Sequence, residues 1–240
     1  MHRFFVNPAA IGDSHIQLDP DTLQHIRVLR FEPKERFIVS DGAGIDYCCV
    51  LAGEQAEILE RFQNRAEPTA RCTVYLGFTR GERMDYAVQK SVELGASALR
   101  LFPAARCVTR YDEKGLAKKL VRWEKIALEA AKQSGRGMVP AVTAMPDFRS
   151  AILEAAQADC PLFFYEHETR QSLPSALERR RGFRSASLII GPEGGFTEAE
   201  AAWADACGLD SVSLGARILR AETAPVAALA ALMFYTGDMG

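Results

Sequence analysis

The sequence has no long hydrophobic run. Its longest apolar segments are short, as in the alanine-rich stretch 226–235, and none approaches the ~18 residues of a membrane-spanning helix. The N-terminus has no apolar stretch followed by a cleavage site, so we expect no signal peptide. Six cysteines are present without a CxxC pair, which is typical of reduced, buried thiols. These absences predict a cytoplasmic protein that does not contact a membrane.

The motifs of several enzyme classes are also missing. Residues 166–170 spell EHETR, which is not the HExxH zinc motif, and the adjacent Cys48 and Cys49 do not have zinc-ligand spacing. No GxSxG is present, which argues against an α/β-hydrolase. GxGxxG and a Walker lysine are absent as well, so a dinucleotide or triphosphate site is poorly supported. We therefore expect no metal site, and a cysteine nucleophile stays open without a recognisable motif to support it.

Charge is unevenly distributed along the chain, although the net charge is only −2. Residues 71–136 carry 14 Lys and Arg against 7 Asp and Glu, whereas residues 185–240 carry 2 against 7. Such a division can attract a polyanion to one face of a protein. Helices that differ in charge by chance would give the same composition. A polyanion-binding face and a chance distribution therefore both stay open. The 48% hydrophobic and 25% charged content is that of an ordinary globular protein.

The first part of the chain has the pattern of a small β domain. A cluster of turn residues at 41–44, DGAG, separates two short apolar runs and predicts a hairpin. One helix is expected over 19–29, with Asp19 as its N-cap. The polar segment 63–68 is a candidate linker, so we place a small barrel at 1–68. Its strands are expected at 3–6, 36–40, 47–51 and 56–61.

The second part, 72–240, alternates between strands and helices. This alternation predicts an α/β domain with a parallel sheet and helices on both faces. Thr197 and Glu200 have the spacing of a capping box, and Gly135 is placed to end a long helix. Strands are expected at 72–78, 99–103, 161–165, 187–190 and 212–214, and helices at 85–94, 115–134, 197–207 and 221–235.

Two glycine-containing loops follow strands of this predicted sheet. The first is 190–196, IGPEGGF, and the second is 214–225, LGARILRAETAP. Open α/β sheets bind ligands outside the carboxyl ends of their strands, and glycine allows the backbone to approach a ligand closely. If the two strands are neighbours, the loops form two backbone walls of one pocket. A plain turn and a capped helix start would produce the same residues.

Cations recur on one predicted helix face. Lys118, Arg122, Lys125, Glu129, Lys132 and Arg136 are spaced by four and three residues in turn, which places them on one side. At 1.5 Å per residue the row extends ~27 Å and would suit a phosphate backbone, although a solvated face has the same spacing. The small domain adds candidate RNA-binding residues: Arg3, His25, Arg27 and Arg30.

Five segments together resemble one known family. They are HIRVLR (25–30), VQKSVELGA (88–96), KIALEAAKQSGR (125–136), IGPEGGF (190–196) and LGARILRAETA (214–224). In this order they resemble the bacterial 16S ribosomal RNA (uracil N3) methyltransferases of the RsmE type, in the SPOUT superfamily. The resemblance implies a trefoil-knotted α/β domain, an N-terminal PUA-like β-barrel that binds RNA, and a homodimer. It also implies S-adenosylmethionine (SAM) as cofactor and the small ribosomal subunit as partner.

The resemblance also assigns roles to the two loops. The first loop would form one wall of the SAM pocket and the second loop another, and the segment 220–224 would lie beside the methyl donor. The end of the strand near 165–167 would contribute as well. The cofactor-binding residues implied are Gly191, Glu193, Gly194, Gly195, Leu214, Gly215, Ile218, Leu219, Thr223 and Ala224.

Methylation of uracil N3 would require help from the protein, because that nitrogen carries a proton. A general base, or cations that stabilise the imide anion, must therefore act. Arg220 and Glu222 are the nearest catalytic candidates, and we favour Arg220 as an anion stabiliser over Glu222 as a base. Arg30 and Arg136 could reach the site from a partner subunit. Two alternatives remain open: an α/β enzyme with another nucleotide-like cofactor, and a non-catalytic RNA-binding or ribosome-assembly module.

Overall fold

The computed structural model of the chain describes residues 1–239, and these form two compact units. The small unit comprises Met1–Glu67 and Leu128–Val139. The large unit comprises Pro68–Ala127 and the chain from Pro140 onward. The small unit is therefore discontinuous in sequence, because a segment from the middle of the chain belongs to it.

The small unit is a five-stranded sheet with one α-helix. The sheet order is β1-β3-β4-β5-β2, in which β1 is parallel to β3 and the other pairs are antiparallel. The predicted hairpin at 41–44 is confirmed as the β3–β4 connection. The described residues contain no pairing of β1 with β2, so the sheet is a half-barrel. Its elements are β1 (Arg3–Phe5), a 3-10 turn (Pro8–Ala10), β2 (His15–Gln17), α1 (Pro20–Leu29), β3 (Arg36–Ser40), β4 (Ile45–Ala52) and β5 (Gln55–Gln63).

The core of the small unit is aromatic on one side and contains a buried ion pair on the other. Phe4 meets Phe37 edge to face, with ring centroids 5.8 Å apart, a favoured aromatic geometry. The Arg3 guanidinium donates to both carboxylate oxygens of Asp46, at 2.6 and 2.8 Å, and the Asp46 side chain is only 1% exposed. Asn64 donates a third hydrogen bond to Asp46 at 2.7 Å. These bonds compensate for the cost of burying the charge.

The large unit is a parallel α/β domain, as the sequence predicts. Its six strands are all parallel, in the order β11-β9-β10-β6-β7-β8. The strands are β6 (Arg71–Gly77), β7 (Ala98–Phe102), β8 (Ala141–Ala144), β9 (Cys160–Phe164), β10 (Ser185–Ile190) and β11 (Asp210–Val212). The helices are α2 (Glu82–Glu93), α3 (Glu113–Gln133), α4 (Phe148–Ala155), α5 (Leu173–Arg179), α6 (Glu198–Ala206) and α7 (Ala224–Thr236).

The central strands explain why this sheet is parallel and buried. Every residue of β9 is buried, and so is β10 apart from its half-buried first residue. Continuous apolar strands of this kind are typical of parallel sheets covered on both faces. Phe163 of β9 packs against Phe196, with ring centroids 4.4 Å apart and the ring planes tilted by 34°. Since Phe196 is the last residue of the IGPEGGF loop, this packing fixes the far end of that loop.

Three elements of the large unit were not predicted from the sequence, and two helix starts differ by three residues each. The additional elements are β8, α4 and α5, which have only 4, 8 and 7 residues. Helix α7 begins at Ala224, not at 221, because residues 220–223 form a turn in which the Thr223 N–H donates to the Arg220 carbonyl at 2.9 Å. Helix α2 begins three residues earlier than predicted, at Glu82. Within the described chain, no helix is long and apolar enough to cross a membrane.

The capping box of α6 is confirmed, and it gives a stability prediction. The Thr197 hydroxyl accepts from the Glu200 N–H, and the Glu200 carboxylate accepts from the Thr197 N–H at 2.8 Å. We expect Thr197→Ala to lower the free energy of unfolding by about 1 kcal/mol, the usual cost of losing a cap. Urea denaturation measures this. Thr223→Ala is the matched control, since Thr223 caps α7 without a side-chain hydrogen bond; equal losses in the two variants would contradict the prediction.

Candidate active site

A cavity of about 990 Å³ lies in the large unit, at the carboxyl ends of three neighbouring strands. Its walls are the segments that follow β9, β10 and β11. This is the edge at which open α/β sheets bind ligands, and both glycine loops contribute to it. The cavity is large enough for a ligand of nucleoside size, since small-molecule sites are typically ~300–1,000 Å³.

The two glycine loops follow strands that are not adjacent in the sheet, although adjacency was the simplest way for both loops to line one pocket. Strand β9 lies between β10 and β11 and pairs with both. The loops therefore face each other across a third wall, formed by residues 165–172 after β9. This wall includes Tyr165, His167 and Gln171. Of it, the sequence predicted only the part near 165–167.

The IGPEGGF loop approaches its neighbours too closely for side chains at two glycines. A Cβ at Gly194 would lie 2.8 Å from the backbone carbonyl oxygen of Arg106. Gly195 has φ +65°, and a Cβ there would overlap the carboxylate of Glu166. Positive φ and close backbone contact both favour glycine. The loop therefore has little freedom to accept larger residues where it lines the cavity.

Glu193 of this loop is held by two hydrogen bonds. Its Oε1 accepts from the Arg80 N–H at 2.9 Å and from the Arg83 guanidinium at 3.0 Å. Burial on its own would raise the pKa of Glu193, but these bonds and its own backbone N–H outweigh burial and hold the pKa below its usual value. The carboxylate is therefore ionised near neutral pH. Its Oε2 atom is buried and has no hydrogen-bond partner.

The second loop ends in a turn that carries the predicted catalytic residues. Arg220 is exposed, whereas Glu222 is half-buried, and both line the cavity. The Glu222 Oε1 lies 3.9 Å from the Nε of Arg83, and its Oε2 is buried without a partner. Ile218 lines the same cavity with 84% of its surface exposed. This wall therefore presents an apolar side chain, a free cation and a half-buried carboxylate to one space.

The structure brings almost all predicted cofactor-binding residues together. Thr223 is the exception within the described chain, because it is exposed at the start of α7 and does not line the cavity. Sequence reasoning missed Arg83, which comes from α2, and Gln171, whose buried Nε2 has no partner. The predicted residues that line the cavity are Gly191, Glu193, Gly194, Gly195, Leu214, Gly215, Ile218, Leu219, Arg220, Glu222 and Ala224.

The candidate RNA-binding residues of the small unit divide into exposed and buried ones. His25, Arg27 and Arg30 are exposed on or directly after α1. Arg27 has a weak surface pair with Glu54 at 3.6 Å. Arg3 is different, because its guanidinium is bonded to buried Asp46. The position of Arg3 therefore does not support the prediction that it binds RNA, since Asp46 already compensates its charge inside the unit.

The predicted cationic helix face is interrupted at its end. In the large unit Lys118, Arg122 and Lys125 are exposed on α3, and Arg122 is bonded to Asp85 at 2.7 Å. In the small unit Lys132 pairs with Glu129 at 2.8 Å. Arg136 follows the helix end and is buried, with an ion pair to Glu67 at 2.6 Å. The prediction that Arg136 lies on an exposed helix face is wrong. The helix ends before this residue, because Gly135 has a φ of +75°, which is not helical.

Neither cysteine nor metal chemistry is indicated at the cavity. Within the described part of the chain no cysteine lines the cavity, and elsewhere burial raises the pKa of the Cys49 and Cys160 thiols to about 12, which disfavours the reactive thiolate form. Among the described residues, no group of three or more His, Cys, Asp and Glu side chains is arranged to hold a metal ion. The groups available at the cavity therefore include carboxylates, guanidinium groups, backbone amides, hydroxyl groups, the Gln171 carboxamide, the Tyr165 phenol and the His167 imidazole.

The fold and the pocket define the class of protein. Residues 65–233 match the model of the RNA methyltransferase domain family. Curated relatives extend the similarity over most of the chain, and the chain belongs to the ribosomal RNA small subunit methyltransferase E family. The relative from Bacillus subtilis (strain 168) is 34% identical over 88% of this chain and 86% of its own. The one from Mesomycoplasma hyopneumoniae (strain 232) is 30% identical over 94% and 96%.

Solved structures agree with this assignment. The ribosomal RNA small subunit methyltransferase E of Neisseria gonorrhoeae, bound to S-adenosyl methionine, superimposes with a TM-score of 0.85. It is 33% identical to this chain, and 98% of each chain is covered. A putative methyltransferase from Legionella pneumophila, in complex with SAM, has a TM-score of 0.83 at 26% identity over 97% of each chain. Two structures similar to this chain thus carry the same cofactor.

Proposed function

We propose that this protein transfers the methyl group of SAM to N3 of a uridine in the 16S ribosomal RNA of the small subunit. The observation that carries the proposal is the cavity at the carboxyl ends of β9, β10 and β11, walled by IGPEGGF and LGARILRAETA. The SAM-bound relatives support the cofactor, and the names of the curated relatives support ribosomal RNA as the substrate.

The chemistry of the cavity fits SAM as the cofactor. Three buried polar atoms of residues that line it have no hydrogen-bond partner among the described residues: Oε2 of Glu193, Oε2 of Glu222 and Nε2 of Gln171. Buried polar atoms normally have partners, so these are suited to a ligand with cationic, hydroxyl and amine groups. We propose that SAM is bound by the predicted cofactor-binding residues that line the cavity: Gly191, Glu193, Gly194, Gly195, Leu214, Gly215, Ile218, Leu219 and Ala224. SAM supplies a methyl group that is already activated on a positively charged sulfur.

The protein's own contribution is to prepare the acceptor nitrogen. We propose that Arg220 stabilises the uracil anion that remains when the N3 proton leaves, because its guanidinium is exposed at the cavity. Glu222 lies in the same turn and is the candidate base that accepts the N3 proton. Positioning the two reactants in line is the other large contribution, as for any two-substrate reaction.

RNA would be held by cations outside the cavity. We propose Lys118, Arg122 and Lys125 in the large unit, and His25, Arg27 and Arg30 in the small unit, as contacts with the RNA backbone. All six are exposed. Arg3 and Arg136 are left out because both are committed to buried ion pairs. Lys132 is left out because it is half-buried and paired with Glu129. The electrostatic attraction between exposed cations on a helix and RNA phosphates weakens as the salt concentration rises.

The RNA proposal predicts a salt-dependent loss of affinity. A Lys118→Ala, Arg122→Ala, Lys125→Ala triple variant should bind the RNA substrate about tenfold more weakly near physiological salt, with a shallower salt dependence, because up to ~3 phosphate contacts are lost. Filter binding at several salt concentrations measures both. The control triple, Arg149→Ala, Arg181→Ala and Arg184→Ala, removes the same charge from other exposed positions. Equal affinities of the two triples would contradict the proposed contacts.

The finer features of the fold are also part of the proposal. We propose that the half-barrel unit is PUA-like, with residues 1–68 as the RNA-binding domain. Residues 72–240 would be the SPOUT methyltransferase domain, with a trefoil knot near the C-terminus. The active form would be a homodimer in the cytoplasm. The similarity of the whole chain to ribosomal RNA small subunit methyltransferases E supports these assignments.

The function is tested by following the methyl group. Purified protein is incubated with isotopically labelled SAM and small ribosomal subunits that lack the native modification, and the digested RNA is examined by mass spectrometry. We expect the label in 3-methyluridine. Label in another nucleoside would change the proposed target, and absence of both label and SAM binding would contradict the proposal. Naked 16S RNA, tested in parallel, distinguishes free RNA from the assembled subunit as substrate.

A further inference from the structure

Arg83 connects two walls of the cavity. It lies in the first turn of α2, and its NH1 is 3.0 Å from Glu193 Oε1 in the IGPEGGF loop. Its Nε is 3.9 Å from Glu222 Oε1 in the turn before α7. The guanidinium side chain is 42% exposed, while each carboxylate side chain is 19% exposed. One cation thus contacts two acidic residues that belong to different loops.

The sheet itself does not join these two loops. Glu193 follows β10 and Glu222 follows β11 by ten residues, and β9 separates those strands. Adjacent strands lie ~4.8 Å apart, so the two loops start about two strand spacings from each other. The hydrogen bonds seen within residues 214–222 are local, as between the Gly215 N–H and the Ser213 hydroxyl. A side-chain contact between the two loops, across the cavity, would therefore stabilise their relative position.

The charges of the two glutamates explain why a cation should make this contact. Glu193 and Glu222 would repel each other across the cavity if both were ionised, and each has one buried oxygen without a partner. Arg83 offsets one of the two negative charges and contacts the remaining oxygen of each carboxylate. The cluster of three side chains then carries a net charge of about −1, which complements a cationic ligand.

We propose that Arg83 is a positioning residue that holds Glu222, and with it the segment 220–224, against the Glu193 loop before the cofactor binds. This inference rests on the proposed function, because it concerns the same cavity. Arg83 acts through the two glutamates, and its loss leaves the segment free to move away from the opposite wall. SAM binding must then order that segment, which lowers affinity.

The proposal is tested with Arg83→Ala, Arg83→Lys and Glu222→Gln. Isothermal titration with SAM should show a dissociation constant raised about tenfold in Arg83→Ala, the expected effect of losing a charged contact. Arg83→Lys should recover part of that loss. In the Glu222→Gln background, Arg83→Ala should raise the dissociation constant by a clearly smaller factor than in wild type, because the Glu222 charge that Arg83 balances is gone. Hydrogen exchange of residues 214–222 without ligand should be faster in Arg83→Ala.

Controls separate this proposal from the proposed function and from general destabilisation. Arg181→Ala removes an equivalent exposed arginine of the large unit and should leave SAM affinity and hydrogen exchange unchanged. If wild-type protein does not bind SAM, the proposed function is wrong. If wild type binds SAM but Arg83→Ala binds it equally well, or if the costs of Arg83→Ala and Glu222→Gln simply add, Arg83 has no positioning role. A uniform drop in melting temperature without the coupling would likewise overturn it.

Discussion

Arg220→Ala should lower kcat by about 10²–10³-fold, the usual effect of removing one donor that stabilises a developing anion. SAM affinity should stay close to that of wild type, because the Arg220 side chain is exposed at the cavity and not buried in its wall. Turnover of labelled SAM on unmodified subunits measures the first quantity, and isothermal titration measures the second. The combination distinguishes an effect on the chemical step from an effect on cofactor binding.

The pH dependence of this variant identifies the role of the guanidinium. If Arg220 stabilises the uracil anion, turnover of Arg220→Ala should rise towards that of wild type as pH increases, because hydroxide then removes the N3 proton more readily. Glu222→Gln should retain more turnover than Arg220→Ala if the arginine dominates. Wild-type turnover in Arg220→Ala would remove Arg220 from the mechanism, and a larger loss in Glu222→Gln would favour the carboxylate as base.

Gly194→Ala should weaken SAM binding by about 10²-fold. The added methyl group would lie 2.8 Å from the Arg106 carbonyl oxygen and 2.9 Å from its Cβ. Neither atom is the end of a flexible side chain, so the IGPEGGF loop must shift, and a displacement of ~1 Å at a binding site is enough for an effect of this size. Isothermal titration with SAM measures the affinity, and circular dichroism during heating reports whether the fold is kept.

A second glycine provides the control for Gly194. Gly208 follows α6 with φ +85°, and a Cβ there would meet nothing within 4 Å. Gly208→Ala should therefore lower stability by roughly 1 kcal/mol, owing to the strained φ, and leave SAM affinity unchanged. If both variants lost affinity equally, the effect of Gly194→Ala would reflect general destabilisation. If Gly194→Ala bound SAM normally, the loop would not be a wall of the cofactor site.

The parallel sheet was predictable because its strands are strongly apolar and regularly spaced. Strand β9 is a continuous hydrophobic run and β10 ends in one, Leu188–Ile190. Helix α6 starts with a capping box that can be recognised in sequence. The shorter elements gave no comparable signal. Strand β2 has three residues, of which only Ile16 is buried, so neither length nor alternation distinguishes it from a loop.

The candidate site was predictable only where the backbone imposes residue types. Glycines mark both loops, because positive φ and close approach restrict the choice of residue. The strand order could not be deduced, so the insertion of β9 between β10 and β11 was missed. Arg83 could not be found either, since a lone arginine near a helix start has no pattern. The burial of Arg136 depends on Glu67, which lies far away in the sequence, and helical periodicity does not detect such a partner.

Strand order also determines when the cofactor pocket can exist during synthesis. Strand β10 pairs with β6, so Ser185 must meet Arg71, a partner made much earlier. The wall formed by the second glycine loop requires β11 and the turn before α7, which are synthesised later still. Contacts between such distant residues form slowly. A nascent chain that has not yet emerged from the ribosome as far as Ala224 therefore lacks a complete cofactor pocket.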